Sequence, residues 1–426
     1  CCWLSCTMVA EVMLIRRSTR FTCCYSLVSM FYLFFLMIRR PPRSTLFPYP
    51  TLFRSVADDQ DHLNGTILAM EEINAAGGIL GRELKLKVVD TDKLSPEACA
   101  ASVRSLVDAR VHAISNAFLF VPIPAMDASV KWGCPYLSGN TQRAATEAFR
   151  ANPDKYQHIF QVDPSEVHYG YHFPLWLKAM KDQGVWNPTN MGVHIVQEQV
   201  AYNQTISRAC QDALKTSEFE LAGITDIQYP VQNWGPVVEQ IHKIGAGAVM
   251  IDHWVAAEFA AFCKQFRAKP LKNSLVYLQY GPSQPEFLDL ARRAADGFCW
   301  STVMGLHADE AGLAFKEKYK KRFPGTMGEV YTGIGYDIVH YLKAAWEAVG
   351  DPQNFKGVCD WVRTHPYDGL TGHIDMNNEY QEAAHWPDNG YDVRAESMDK
   401  GVPQLYYQVQ DRQHRLIYPY ELKEVS

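Results

Sequence analysis

From His62 onward the apolar positions fall into short periodic runs separated by polar turns. In "HLNGTILAMEEINAAGG" the residues Leu63, Ile67, Met70 and Ile73 recur at spacings of four, three and three, which places them on one face of a helix. Gly77 and Gly78 follow, and glycine takes the left-handed conformation that ends a helix without a Cβ clash. "ELKLKVVD" then changes to period two, with Leu84, Leu86 and Val88 on one side of a predicted strand. "SPEACAASVRSLVDA" returns to helical spacing: Ser95 is the predicted N-cap, Pro96 takes the first helical position, and Cys99, Val103, Leu106 and Val107 form the buried face.

The alternation continues as far as "GFCWSTV". Apolar strands "VHAIS", "PYLS", "MGVHIV", "GAVMID" and "SLVYLQY" precede it, separated by helical stretches such as "NQTISRACQDALK", "VVEQIHKIG", "EFAAFCKQFRA" and "PEFLDLARRAA". Strand followed by helix predicts parallel sheets covered on both faces, because parallel neighbours need a crossover and crossovers are right-handed. The strands are too many for one small sheet, so the predicted fold is α/β with two doubly wound lobes. In such folds ligands bind beyond the carboxyl ends of the strands, near helix N-termini, which makes the residues after each strand the candidates for function.

Those residues carry little catalytic chemistry. "NAAGGILGRE" is glycine-rich, but a phosphate cradle needs strand, glycines and helix in that order, whereas here the glycines follow a helix. "AVMIDHW" ends a strand with Asp252, His253 and Trp254. No GxSxG elbow and no second ligand at metal spacing accompany them, so a hydrolase built on Asp252 and His253 ranks below a binding protein, and neither metal nor cofactor is predicted. Aromatic residues are plentiful, with 22 tyrosines and 10 tryptophans. Phe118, Phe120, Tyr202, Trp254 and Tyr280 all stand just past strands and predict an aromatic-walled cleft for a small molecule.

Composition divides the chain at Ser55. The 426 residues are 47% hydrophobic with a net charge of -6, as for a soluble chain of two or three domains. Residues 1–55 contain seven arginines, no lysine and one acid, Glu11, which leaves 34 bases against 46 acids in the rest. So acidic a remainder argues against nucleic acid as a partner. "YSLVSMFYLFFLMI" is nearly apolar over 14 residues, short of the roughly 20 that span a bilayer. It runs into Arg39-Arg40-Pro41-Pro42 and not into a small-residue cleavage site. "TLFPYPTLFRS" resembles the translation of a sequencing adapter, TLFPYTTLFRS, with Pro50 as the one departure. Residues 1–55 are therefore expected to be a non-native leader, disordered or artefactual. Five of the 11 cysteines fall there; the six others form no CxxC pair and are expected to be buried free thiols.

The stretch "GTILAMEEINAAGGILGRELKLKVVDTD" resembles the opening signature of type I periplasmic binding proteins of the leucine/isoleucine/valine-binding kind, the soluble receptors of ABC importers. "YTGIGYDIVHYLKAAWEAVG" and "DGLTGHIDM" are similar to the same family in register. The resemblance implies two Rossmann-like lobes joined by a three-crossing hinge, with crossings near Gln161 to Glu166, near Ser301 to Leu306 and after Gly372. It divides the chain into lobe I, residues 56–163 plus 304–375, and lobe II, residues 164–303 plus 376–426. It also implies that the native first strand is missing, and any pairing of "FYLFFLMI" into its place would reflect apolarity and not function.

By the same resemblance the ligand contacts would come from Asn116, Phe118, Thr141 or Gln142, Tyr202, Asp252, Trp254 and Tyr280. The family's serine after the fourth early strand is replaced by Phe118, Leu119 and Phe120, and its ammonium-pairing acid is absent from "LQYGP", with Asp252 as a substitute. The expected function is thus a periplasmic or extracytoplasmic substrate-binding component of an ABC importer. It would act as a monomer with a membrane permease and bind a small amide, urea-like compound, amino acid or aromatic acid. The alternative is a ligand-sensing regulator of the same fold.

Overall fold

The computed structural model describes residues 57–272, 274–325 and 327–422, together with the backbone of Phe31–Arg39. Two sheets form the centres of two lobes. The first contains β1 (Phe31–Arg39), β2 (Glu83–Leu86), β3 (Val89–Thr91), β4 (Ala113–Asn116), β5 (Tyr136–Ser138) and β6 (Ile159–Gln161), in the order β2-β1-β4-β5-β6 with β3 also on β1. The second is built on a parallel set: β7 (Gly192–Glu198), β8 (Glu220–Ile227), β9 (Ala248–Asp252), β10 (Leu275–Gln279) and β11 (Cys299–Thr302). Two short ladders follow, β12 (Tyr367–Gly369) with β13 (Gly372–Ile374) and β14 (His385–Trp386) with β15 (Val402–Pro403). The hairpin of β16 (Leu405–Gln410) and β17 (Gln413–Tyr418) then joins the second sheet antiparallel to β11.

Helices α1 (Ala57–Ala75), α2 (Pro96–Asp108), α3 (Pro122–Ser129), α4 (Arg143–Ala151) and the single turn α5 (Pro153–Tyr156) accompany the first sheet. The second carries α6 (Val167–Asp182), α7 (Ala201–Leu214), α8 (Gly235–Ile244), α9 (Ala256–Ala268) and the short α10 (Phe287–Ala291). After β11 the chain returns to the first lobe as α11 (Glu310–Arg322), α12 (Tyr331–Val349) and α13 (Phe355–Thr364). No helix among the described residues is long and apolar enough to cross a membrane.

Local chemistry explains why these elements begin and end where they do. Ser95 caps α2 by accepting the Ala98 N–H at 3.2 Å, and Pro96 opens the helix. Gly78, at φ 77°, ends α1 and donates its N–H to the Ile73 carbonyl. The two signature stretches meet where α1 crosses α12. A Cβ on Gly65 would lie 2.0 Å from the Thr332 carbonyl oxygen, and one on Gly335 would lie 2.1 Å from that of His62. Only hydrogen side chains permit that approach. Further along α12, Asp337 accepts the Leu370 and Thr371 N–H groups and the Thr371 hydroxyl, which fixes the "DGLTG" turn between β12 and β13.

Several sequence expectations change. "ELKLKVVD" is two strands, because β2 pairs with the Leu36–Arg39 end of β1 and β3 with its Phe31–Leu33 end; Val88, between them, is exposed. The buried face of α1 includes Leu68 and Ala69 while Ile67 and Met70 are half-buried, since α12 covers the helix as well as the sheet. Val107 is likewise half-buried.

Most of the expected leader, residues 1–55, lies outside the described residues. Phe31–Arg39 does not: it is a strand within the first sheet and not a disordered leader. It runs antiparallel to β2, β3 and β4, whereas a strand feeding a crossover helix would be parallel to β4. Its backbone pairs with groups of β2, β3 and β4 that would otherwise be left unpaired.

The chain also stays beside the first lobe beyond residue 375. Gln161 N–H donates to the Gln381 carbonyl and Ala383 N–H to the Gln161 carbonyl, each at 2.9 Å, so the return to the second sheet comes between Ala383 and β16. The six cysteines from Cys99 to Cys359 are buried and free.

Candidate functional site

The carboxyl ends of both strand sets point at one cavity of about 190 Å³ between the lobes. From the first lobe come Asp58 at the start of α1, Lys93 after β3, Phe118 and Phe120 after β4, and Thr141 after β5. The second lobe contributes Tyr202 in the first turn of α7, Tyr229 after β8, Trp254 after β9, and Gln279, Tyr280 and Glu286 at and after the end of β10. Tyr169, Met304 and Tyr331 line it beside the crossings.

Aromatic rings run from wall to wall. Phe118 meets Phe120 edge-on at 4.9 Å and Tyr202 at 5.3 Å; Phe120 contacts Trp254 at 5.1 Å, and Trp254 contacts Tyr229 at 5.2 Å. Polar bonds join the lobes here. The hydroxyls of Thr141 and Tyr202 lie 2.7 Å apart, and Gln284 Nε2 donates to Asp58 Oδ2 at 3.1 Å. The lobes are therefore in contact around the cavity.

Of the eight residues singled out from sequence, Phe118, Thr141, Tyr202, Trp254 and Tyr280 line the cavity. Asn116, Gln142 and Asp252 do not. Asn116 is buried, donating to Asn140 Oδ1 and accepting from Ser138 Oγ, and Gln142 Nε2 donates to the carbonyls of Leu119 and Phe120. Both thus hold the aromatic loop in place from behind. Strand alternation puts Asp252 on the side of Met250, in the core, and its fully buried carboxyl is pushed well above the usual carboxylate range. It is not placed to substitute for an ammonium-pairing acid at the cavity.

His253 is also withdrawn from the cavity. Its Nδ1 lies 2.5 Å from Glu198 Oε2 and its Nε2 3.2 Å from Glu258 Oε2, with the ring fully buried against Trp234. Burial opposes a charge on the ring, but the two carboxylates outweigh it and raise the imidazole above its ordinary value. The resulting group ties the ends of β7 and β9 to α9, directly behind Trp254. Among the described residues no cluster of His, Cys, Asp and Glu is arranged to hold a metal ion.

The charged lining is uneven. Burial raises Asp58 despite Lys93 nearby, and burial raises Glu286, with the charge of Asp58 adding to it. Lys93 is paired at 3.2 Å with Asp59, whose carboxyl burial pushes up to about 6. Gln279 is fully buried, and neither its amide oxygen nor its nitrogen has a hydrogen-bond partner among the described residues. A buried amide left so costs about 1–3 kcal/mol, which a bound molecule would relieve.

Sequence reasoning passed over Asp58, Lys93, Gln279, Glu286 and Tyr331. Lys93 lies just past β3 and Gln279 ends β10, where the strand-end rule points. Tyr331 opens a stretch already noted as a family signature. Asp58 and Glu286 carry no sequence signal of their own, because only the approach of the lobes brings them together.

Residues 55–386 match the model of a family described as periplasmic binding protein. A Pseudomonas aeruginosa amino acid binding protein is 24% identical over 325 residues, 74% of this chain and 80% of that one. Among solved structures, a Silicibacter pomeroyi protein assigned to branched-chain amino acid ABC transport is 28% identical, with a TM-score of 0.80 over 87% of this chain and 94% of that one. The isoleucine-bound LivJ of Streptococcus pneumoniae, at 16% identity, shares the fold with a TM-score of 0.66 over 85% of this chain and 95% of its own.

Proposed function

Because the chain belongs to the family of periplasmic binding proteins, we propose that it is the substrate-binding component of an ABC importer, capturing a small polar or aromatic molecule between its two lobes. It acts outside the cytoplasm, hands its cargo to a membrane permease and performs no chemistry on it. The observation that carries this reading is the cavity itself: residues from both lobes line it, and the Thr141–Tyr202 and Asp58–Gln284 bonds close across it. A ligand that contacts both walls stabilises the closed arrangement over the open one, which is the population shift such receptors use.

Aromatic walls with a few polar groups suit an amide, a urea-like compound, an amino acid or an aromatic acid. The names of the relatives favour amino-acid-sized cargo. A thermal-shift screen of these four classes tests the reading. A bound ligand raises the melting temperature by mass action, by an amount that grows with its concentration. Compounds that bind with equal affinity after Trp254→Ala would place the site elsewhere.

A further inference from the structure

Many backbone N–H donors of the first-lobe loops that open onto the cavity are already engaged within the protein. Asp59 accepts the Phe118 N–H. Leu119 N–H goes to Asn140 Oδ1 and Phe120 N–H to the Lys93 carbonyl. In the neighbouring loop, Gln142 N–H goes to Gln161 Oε1 and Arg143 N–H to Glu166 Oε2. Among the described residues the one cationic side chain in the lining is Lys93, which is paired with Asp59. A ligand carboxylate that paired with Lys93 would have to displace the buried Asp59 carboxylate from it.

The opposite charge is favoured. Two acids, Asp58 and Glu286, line the cavity with Lys93 as the single cation among the described lining residues. Lys93 Nζ already stands 6.0 Å from the Phe118 ring and 5.9 Å from the Phe120 ring, so the rings left for an organic cation are Tyr202 and Trp254, whose faces attract it through their quadrupoles. The unsatisfied amide oxygen of Gln279 adds an acceptor for an N–H group.

We propose that the cargo of this cavity is an organic cation without a carboxylate, an alkyl- or arylamine, and that Asp59 fills from within the place a ligand carboxylate would take. Asp58 and Glu286 face the ammonium, and the aromatic rings enclose its apolar part. The inference rests on capture between the lobes and replaces the carboxylate-bearing candidates of that reading with amines.

Matched pairs test it by calorimetric titration of the full chain: phenethylamine against phenylalanine, and 3-methylbutylamine against leucine, each pair differing only in the carboxylate. The amine of a pair is expected to bind at least about tenfold more tightly than its amino acid. Asp59→Asn keeps the side-chain shape and removes the internal charge, so the amino acid should gain affinity and the ratio should narrow or invert. Asp58→Asn should weaken the amine about tenfold and provides an independent check should Asp59→Asn not fold. Tighter binding of phenylalanine or leucine than of its amine, or of benzoate than of either amine, overturns the inference while leaving lobe capture standing. An unchanged ratio in a folded Asp59→Asn protein also overturns it. Equal affinity in Trp254→Ala, by contrast, would strike at lobe capture.

Discussion

The hydroxyls of Thr141 and Tyr202, 61 positions apart in sequence and on opposite walls of the cleft, lie 2.7 Å from each other. Such a bond exists only while the lobes are together, so it contributes to the closed state alone. Its net worth is about 0.5–1.5 kcal/mol. Tyr202→Phe removes the hydroxyl and keeps the ring against Phe118. Ligand release followed by stopped-flow fluorescence should then be roughly two- to tenfold faster. An unchanged off-rate would mean that the pair does not hold the lobes shut.

The buried amide of Gln279 should set stability against binding. Gln279→Met keeps the volume and removes two unsatisfied polar atoms, so the ligand-free protein should be stabilised by about 1–3 kcal/mol in urea titrations. Ligand affinity should fall in the same variant. Loss of stability together with retained affinity would show that the amide serves the fold and not the cargo.

At the crossing of α1 and α12, Gly65→Ala and Gly335→Ala each set a methyl against a backbone carbonyl, at 2.0 and 2.1 Å respectively. Overpacking of this kind costs about 1–3 kcal/mol. Chemical denaturation should show that loss for either variant, while an alanine at Gly77, where a Cβ meets nothing within 4 Å, pays only for its positive φ of 105°.

A pH dependence follows from His253. Burial would lower its pKa, yet Glu198 and Glu258 raise it above the ordinary 6.5. A group raised in the folded state adds stability that is complete below about pH 6.5 and lost as pH rises through the folded value. His253→Gln should therefore flatten the decline of stability as pH rises above 6.5, measured by urea midpoints. Identical slopes in the variant and the parent would remove His253 as the titrating group.

Much of the fold was legible because its elements repeat on a short period. "GAVMID" and "SLVYLQY" became adjacent parallel strands, and Ser95 and Pro96 opened α2 as their chemistry requires. Side-chain direction was less legible. Asp252 and Trp254 are two residues apart, yet one belongs to the core and the other to the cavity, because the strand ends between them and its alternation ends with it. Asn116 and Gln142 were expected to touch the ligand, but they lie outside the cavity lining and brace the loop that carries Phe118 and Phe120, which only three-dimensional contacts reveal. Asp58 and Gln284 lie 226 positions apart and meet solely through lobe contact, which no local pattern encodes. The pairing of Phe31–Arg39 into the place of a first strand was foreseen from its apolar run, but its antiparallel direction was not, because an apolar run without alternation carries no direction.

The most direct test of ligand capture between the lobes is a fluorescence titration of the parent chain and Trp254→Ala with the panel of amines, amides, amino acids and aromatic acids. Trp254 lies between Phe120 of one lobe and Tyr229 of the other. The account predicts a saturable, one-to-one signal in the parent and its loss, with at least about tenfold weaker binding by calorimetry, in the variant. Full affinity for the same ligand in Trp254→Ala would contradict it.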